Sequence, residues 1–525
     1  MKGCRTSDHI FLIQTIVDKI VKKNGKKLFV AFIDFRKAYD TVDRENLFYR
    51  LRKLGISGIF LNNIKALYKK TEYLVSYKNG YLNPINSNCG IKQGCPLSPM
   101  LFNIYVDDIS ETFDQLCDPV CLTDIKLNHI LYADDLALLS MTKGGLQRSL
   151  NKVQNFAEKR NLSINVEKSK TLIFNKTGKF IKEDFTVNYK KLDSVQNFCY
   201  LGYDMNASGS PNYSATTLCD KAVKAMRPIQ NAIARFNIPV NLSIRLFNTY
   251  ISPIMLYNVE NWAQMSTHML QNFTMEKFMV SLTENKASYV HRKFLKYILG
   301  VSRTCPNLAI YGETNEIPLM LKGYRLMLKY WLRVSNLPDE MLAKKAVMEN
   351  VNLRTNWIST IEKVISSFEL TDQVETVNNL DNKAKINTRK TYVKYWRNNV
   401  NSNQTRLLFY KTVKREFNFE EYLNLPNFAA RKAITKIRCS DHDLEIEKGR
   451  HRKVPREVRL CKLCNSGHVE TETHFLTECD YYKDLKQKCE INFTIQNLFN
   501  DDKIVQLGTL ILNMAEKRQN GLRDI

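Results

Sequence analysis

Apolar runs that end abruptly on acids or on Gly/Pro punctuation organise the first part of the chain. Phe29-Val30-Ala31-Phe32-Ile33 predicts a buried strand, and it runs directly into a lone acid, Asp34. Leu47, Leu51 and Leu54 then recur at helical spacing up to Gly55, which predicts a helix with those leucines on its core face. Gly90-Ile91-Lys92-Gln93-Gly94-Cys95-Pro96-Leu97-Ser98-Pro99 reads as a loop that lets backbone approach a ligand, opening an apolar helix from Met100 to Val106. An Ile/Leu/Tyr run enters Tyr132-Ala133-Asp134-Asp135 and Leu136-Ala137-Leu138-Leu139 leaves it. That pattern predicts a hairpin with two adjacent carboxylates at its tip.

Further along, the pattern is mostly helical, with a break predicted at Arg303-Thr304-Cys305-Pro306-Asn307. Tyr392, Tyr395 and Trp396 fall at helical spacing. No uninterrupted apolar stretch reaches bilayer length, and the Ile10-Phe11-Leu12-Ile13 run is interrupted by Gln14 and Asp18, unlike a signal peptide. A length of 525 residues allows two to four domains, each able to bury a core.

Charge narrows the partners. Seventy-eight Lys and Arg against fifty-three Asp and Glu leave +25, a surplus that attracts a polyanion. Residues 381–440 hold fourteen Lys/Arg and four Asp/Glu, interleaved with Tyr392, Tyr395, Trp396, Phe409 and Tyr410. Base stacking and backbone tracking are expected there, with some of those rings reserved for the core. The thirteen cysteines, odd in number and mostly scattered, read as reduced thiols of an intracellular protein, in the nucleus or the cytoplasm. Four Cys and His residues stand apart: Cys461-x2-Cys464, nine residues to His474, four more to Cys479. The paired spacing matches a tetrahedral Cys₃His zinc site, with His468 as an alternative ligand.

Taken in order, the acid-ended strand, the Gln93-to-Pro99 loop and Tyr132-Ala133-Asp134-Asp135 resemble the palm motifs of reverse transcriptases from non-LTR (LINE-like) retrotransposons. Asn161-Leu162-Ser163-Ile164-Asn165-Val166-Glu167-Lys168-Ser169-Lys170 is similar to the next palm motif, and Phe198-Cys199-Tyr200-Leu201-Gly202 to the primer-grip hairpin. Glu472-Thr473-His474-Phe475-Leu476 before Cys479 resembles the C-terminal zinc-knuckle region of the same polymerases.

The resemblance implies an α+β fold: a right-hand polymerase palm, an antiparallel sheet with helices, with a remnant of the fingers over residues 1–205. A helical thumb would follow over 206–300, a helical basic linker over 301–440, a CCHC zinc-knuckle-like region over 441–490 and a C-terminal tail over 491–525. The implied activity is RNA-directed DNA polymerisation, a two-metal nucleotidyl transfer to a primer 3′-hydroxyl, with an RNA template, a DNA primer or target and dNTPs as partners. In that chemistry two divalent ions sit about 3.5–4 Å apart, one lowering the hydroxyl pKa and one neutralising the leaving pyrophosphate. Asp34 and Asp134 are the implied principal Mg²⁺ ligands, since hard oxygen donors suit Mg²⁺ better than zinc. Asp135 either supports the site or satisfies its turn. Phe35 and Tyr39 lie where the nucleotide would sit; a ring at Tyr39 would clash with a 2′-hydroxyl, or else serves the core at the opening of a helix. Gln93 and Gly94 would border the template base and nucleotide, with Gly94 permitting close backbone approach. Lys168 either faces the triphosphate or is solvated, and Tyr200, Leu201 and Gly202 form the primer grip. Asp40 and Asp43 read as helix-entry residues. One structural zinc would be held by Cys461, Cys464, His474 and Cys479.

Gly3-Cys4-Arg5-Thr6-Ser7-Asp8-His9-Ile10 resembles the end of the fingers region. Most of the fingers and the N-terminal endonuclease are therefore expected to be missing, with poor polymerisation as the consequence. The competing expectation is a noncatalytic remnant that still binds nucleic acid.

Overall fold

The computed structural model describes residues 4–78, 80–370, 376–402, 406–464, 466–489, 491, 493–495, 498–499 and 503–523. The chain divides into two compact units: residues 1–214 with 333–358, and residues 215–332 with 359–525. The first is mixed α and β; the second is helical.

Strands of the first unit are, in chain order, β1 (Leu28–Ile33), β2 (Glu72–Tyr73), β3 (Ser76–Tyr77), β4 (Gly80–Tyr81), β5 (Ile85–Asn86), β6 (Val120–Leu122), β7 (Ile125–Leu127), β8 (His129–Tyr132), β9 (Asp135–Ser140), β10 (Lys170–Phe174), β11 (Phe185–Val187), β12 (Lys190–Val195), β13 (Asn197–Tyr200) and β14 (Tyr203–Asn206). Its helices include α1 (Thr6–Val17), α2 (Arg44–Lys53), α3 (Gly58–Lys69), α4 (Ser98–Val106) and α5 (Lys143–Lys159). Six strands form one sheet in the order β11-β12-β10-β1-β9-β8, in which β1 runs antiparallel to both β10 and β9. β1 is central and every one of its residues is buried, which is why its sequence is an unbroken apolar run and not an alternating one.

Alternation still sorts its side chains. Phe29, Ala31 and Ile33 join Leu47 and Leu51 of α2, Leu101, Phe102 and Tyr105 of α4, and Leu146, Leu150 and Val153 of α5 in one apolar cluster. Phe32 turns to the other face and stacks on Phe198 at 4.4 Å. Burying leucines such as Leu47 and Leu51 contributes roughly 1.5–3 kcal/mol each.

α2 starts where Asp43 caps it, its Oδ1 accepting from the Glu45 and Asn46 amides at 2.9 and 3.1 Å. It ends before Leu54, which is 52% exposed and not on the core face as the spacing predicts. The chain swings away at Gly55, whose φ of +84° ends the helical path one residue on.

On the other face, α1 is buried along most of its length. It packs on residues that return late in the chain: Phe11 lies 4.6 Å from Trp357, and the Asn350 amide donates to Thr15 Oγ1 at 2.8 Å. Asp8 pairs with Arg333.

In the second unit a helix over Lys286–Leu299 closes at Gly300 (φ +68°), and the next begins at Asn307. The 25-residue helix Val377–Asn401 carries much of the basic stretch. Ile504–Gly521 is also helical and buries Leu507, Leu510, Ile511 and Met514. No helix among the described residues is long and apolar enough to cross a membrane.

Candidate functional site

Strand register assembles the carboxylates. β1 pairs with β9 so that Phe32 faces Ala137 and Ile33 faces Leu136. Asp34 directly follows β1 and Asp135 opens β9, so this register brings the end of β1 toward the start of β9. β8 and β9 close with Tyr132 opposite Asp135, so Ala133 and Asp134 form the tip. Ala133 holds φ +53°, a left-handed conformation that costs a non-glycine residue roughly 1–2 kcal/mol. Strain of that kind concentrates where a side chain must be aimed.

Asp34 is held from behind by a segment 130 residues away. Phe35 bridges to Ile164, the Asn165 amide donates to the Asp34 carbonyl at 2.8 Å, and the Asp34 amide donates to Ser169 Oγ at 3.1 Å. Asn165 Nδ2 donates to Asp34 Oδ2 at 3.0 Å, which leaves Oδ1 clear of that bond. A cavity of about 330 Å³ opens here, lined by Asp34, Phe35, Tyr39, Gln93, Asp134, Asn165 and Lys168 among others.

The electrostatics mark a charge imbalance. Desolvation, then the Asp134 and Asp34 carboxylates, raise the Asp135 carboxyl to about 6. Its side chain remains solvent-accessible, so the like-charged neighbours, more than burial, are the part of this shift that the geometry supports. Three carboxylates offering only oxygen donors, one of them resisting ionisation through desolvation and the charge of the other two, match the donor chemistry of a hard divalent cation.

The remaining expected site residues fall around this cavity with distinct roles. Tyr39 lies in a run of turns, since α2 does not begin until Arg44; its ring stacks on Phe102 at 4.9 Å while desolvation and Asp134 raise its hydroxyl. It thus has a core face and a cavity face. Phe35 is buried in the core. Gln93 is exposed and its Nε2 donates to Asp40 Oδ1 at 3.0 Å. Gly94 has φ +80° with open space where a Cβ would point, whereas the close backbone approach occurs at Gly90, where a Cβ would lie 2.6 Å from the Asp40 carbonyl oxygen. Lys168 is exposed at the cavity rim.

Tyr200, Leu201 and Gly202 form the β13–β14 turn, with positive φ at Leu201 (+48°) and Gly202 (+78°), the geometry of a tight hairpin. Tyr200 is buried 5.1 Å from Phe32, and burial and nearby Asp135 raise its hydroxyl. The hairpin therefore backs onto the strand that delivers Asp34.

Asn165 and Ser169 are the functional side chains that the sequence pattern does not single out. They lie inside the Asn161-to-Lys170 stretch, and their signal is polarity at buried positions.

In the second unit the Leu460–Val469 bridge and the bond from the Cys461 amide to the His468 carbonyl (2.9 Å) fold the nine-residue gap back on itself. The ligand atoms of Cys461, Cys464, His474 and Cys479 then lie within 4.8 Å of one another. Cys461 Sγ and Cys479 Sγ are 4.0 Å apart, close to the ~3.8 Å edge of a tetrahedron with ~2.3 Å Zn–S bonds. His474 points Nε2 at Cys464 Sγ (3.2 Å), while its Nδ1 lies 3.5 Å from the Glu478 carboxylate without a hydrogen bond. His468 is exposed and groups with His474 and Glu478, apart from the thiols. Burial pushes the Cys464 thiol up, but hydrogen bonds from Ser466 and from the Cys479 and Cys461 thiols outweigh it and bring it down to about 6. Burial pushes Cys479 up to about 12.

The basic stretch requires a correction. Tyr392, Trp396, Phe409 and Tyr410 are buried core rings and not stacking platforms. Arg389 is turned inward as well, donating to Asn315 Oδ1 at 2.5 Å and lying over Phe417. Lys390, Lys394 and Arg397 remain exposed on the opposite side of the same helix.

Residues 2–205 match the family model described as reverse transcriptase (RNA-dependent DNA polymerase). This part of the chain is similar to reverse transcriptase domains. Similar proteins are the Pol polyprotein of the type-1 retrotransposable element R2 from Nasonia vitripennis (28% identical, 35% of this chain, 19% of the relative) and that of R2 from Popillia japonica (25%, 46% and 40%). The RNA-directed DNA polymerase from mobile element jockey of Drosophila melanogaster is 25% identical over 44% of this chain and 25% of the relative. These matches span less than half the length of those relatives. Among solved structures, an apo telomerase from Candida tropicalis matches at a TM-score of 0.29 and 14% identity, over 74% of this chain and 53% of that chain, too loosely to add to the fold described above.

Proposed function

We propose that this chain extends a DNA primer on an RNA template, with Asp34, Asp134 and Asp135 as the reacting centre. The observation that supports this reading is the cavity that Asp34 and Asp134 line together, with Asp135 next in the chain at the start of β9. Two Mg²⁺ ions held there would lower the pKa of the primer hydroxyl and offset charge on the leaving pyrophosphate. The chain's own residues supply the rest. Asn165 orients Asp34, Tyr39 offers a ring edge where a 2′-hydroxyl would collide, and Gln93 and Lys168 border the nucleotide. The β13–β14 turn at Tyr200, Leu201 and Gly202 supports the primer end. Exposed Lys390, Lys394 and Arg397 track phosphate. The noncatalytic alternative is the weaker reading, since Asp34 and Asp134 are both present and line one cavity.

Cys461, Cys464, His474 and Cys479 are assigned one structural zinc, on the tetrahedral scale of their separations.

A primer-extension assay with Mg²⁺ on poly(rA)/oligo(dT) tests the polymerase reading. Extension by the unsubstituted chain is expected to be weak, and whatever extension it shows is expected to be lost in Asp34→Asn; equal extension by Asp34→Asn would overturn the assignment.

A further inference from the structure

Between Tyr68, near the end of α3, and Gly90 the chain leaves the core and returns as an antiparallel ribbon. Tyr77 pairs with Gly80, Ser76 with Tyr81, Tyr73 with Ile85 and Glu72 with Asn86, and the Leu82 amide donates to the Val75 carbonyl at 2.9 Å. The offset between the two sets of pairs sets Asn83 and Pro84 opposite Leu74, a β-bulge that tolerates the missing proline N–H. Side chains alternate along each strand, so Tyr73, Val75, Tyr77, Leu82 and Ile85 share one face. Each of the five is between 45% and 60% exposed. A two-stranded ribbon is marginal by itself in water, and a contiguous bare apolar face marks an interaction surface.

The base of this ribbon is fastened to the start of α2. Arg44 Nε donates to the Gly90 carbonyl (2.9 Å), Nη1 to those of Tyr68 (3.0 Å) and Ser87 (2.9 Å), and Nη2 to that of Cys89 (2.9 Å). One guanidinium thus ties both legs of the ribbon to the start of α2, ten residues after Asp34. Gly90 packs on the Asp40 backbone and Gln93 bonds the Asp40 carboxylate, so the loop bordering the cavity continues directly from the ribbon.

Charge identifies the occupant. Residues 69–92 contain Lys69, Lys70, Lys78 and Lys92 against one acid, Glu72, which pairs with Lys70 at 3.1 Å. Two copies meeting through this face would bring these lysine sets together, at a like-charge cost. A nucleic-acid strand matches both features, because any base stacks on tyrosine and phosphates complement lysine.

We propose that the 72–86 ribbon is the platform for the unpaired template strand at the carboxylate site, with Tyr73 and Tyr77 stacking its bases. This assignment rests on the polymerase reading above. Fluorescence anisotropy on the full chain, comparing an RNA–DNA template–primer with a short single-stranded 5′ template overhang against the same duplex blunt-ended, tests it. The unsubstituted chain is expected to prefer the overhang. Tyr73→Ser with Tyr77→Ser, at exposed positions that leave the core untouched, is expected to remove roughly tenfold or more of that preference while leaving blunt-duplex affinity unchanged. Equal binding of the two substrates by the unsubstituted chain, or an undiminished preference in the double variant, would overturn the proposal. So would self-association in sedimentation that the double variant abolishes while overhang preference persists, which would give the face to a second copy. The binding arms need no nucleotide incorporation, so failure of the polymerase reading registers separately, as incorporation that does not depend on Asp134.

Discussion

The carboxylate site and the thiol–imidazole cluster each gather donor atoms suited to a cation, but they gather them by opposite routes. Cys461 and Cys479 are eighteen residues apart and a short loop closes the set; Asp34 and Asp134 are a hundred residues apart and line one cavity only because β1 lies against β9 in one register. The donors differ in kind as well. Three thiols and an imidazole lie within 4.8 Å of one another at buried to half-buried positions, donors that suit a closed site. Asp34 and Asp134 line an open cavity, as a site must if substrate phosphate and water are to complete an octahedron. A local cluster is legible from spacing, whereas an open site built on sheet register depends on the whole first unit folding correctly.

The strongest way to separate the two is to disable one at a time. Asp134→Asn is expected to lower primer extension by at least two orders of magnitude, the scale seen when charge stabilisation is removed at a reacting centre. Zinc content and nucleic-acid affinity should be unchanged, as elemental analysis and a binding titration would report. An active Asn variant would break the comparison by removing the carboxylates from the chemistry.

Conversely, Cys464→Ser with Cys479→Ser is expected to abolish stoichiometric zinc and lower the melting temperature, since binding free energy at such sites is folding free energy. His474→Ala should lose zinc and His468→Ala retain it. The reverse result would move the ligand to His468.

Asn165→Ala removes one hydrogen bond to a charged carboxylate, worth about 1.5–3 kcal/mol, so extension should fall roughly ten- to hundredfold. Because Asn165 acts through Asp34, the loss should be partly recovered at higher Mg²⁺. A loss insensitive to Mg²⁺ would instead assign Asn165 a direct contact with substrate.

The smallest effect concerns pH. The Asp135 carboxyl is raised to about 6 in the folded, metal-free protein, above its value of about 3.9 in an unfolded chain. Its contribution to stability is therefore fully present below about pH 4 and lost as pH rises through 6. A divalent cation favours the ionised form and opposes that loss. Mg²⁺ should thus raise the melting temperature more at pH 7.5 than at pH 5, with affinity changing about tenfold as the ionised fraction changes. Equal Mg²⁺ stabilisation at both values would place Asp135 outside the metal site.

Sequence pattern and structure part company at identifiable places. Leu54 continues the helical spacing of Leu47 and Leu51, yet it is exposed, because periodicity reports what a helix would bury and not where the chain turns away at Gly55. Tyr392 and Trp396 lie in a basic stretch, and composition cannot distinguish a ring offered to a base from one closing a core. Asn165 and Arg44 carry much of the site's organisation, but each acts through partners far along the chain or through backbone carbonyls that have no sequence signature.

The sequence by itself determined the order of the polymerase motifs, the apolar strand that must be buried, the acids at its end and at the hairpin tip, and the four clustered Cys and His residues. These follow from local periodicity and local spacing, which the chain carries directly. Tertiary structure decided that Asp34 and Asp134 line one cavity, that Asn165 and not a charged residue holds Asp34, that Arg44 clamps the 72–86 ribbon, and that the ribbon's apolar face stays exposed. Those outcomes depend on strand register and on backbone groups meeting across long sequence separations, and such meetings are settled by packing the core and not by any one segment.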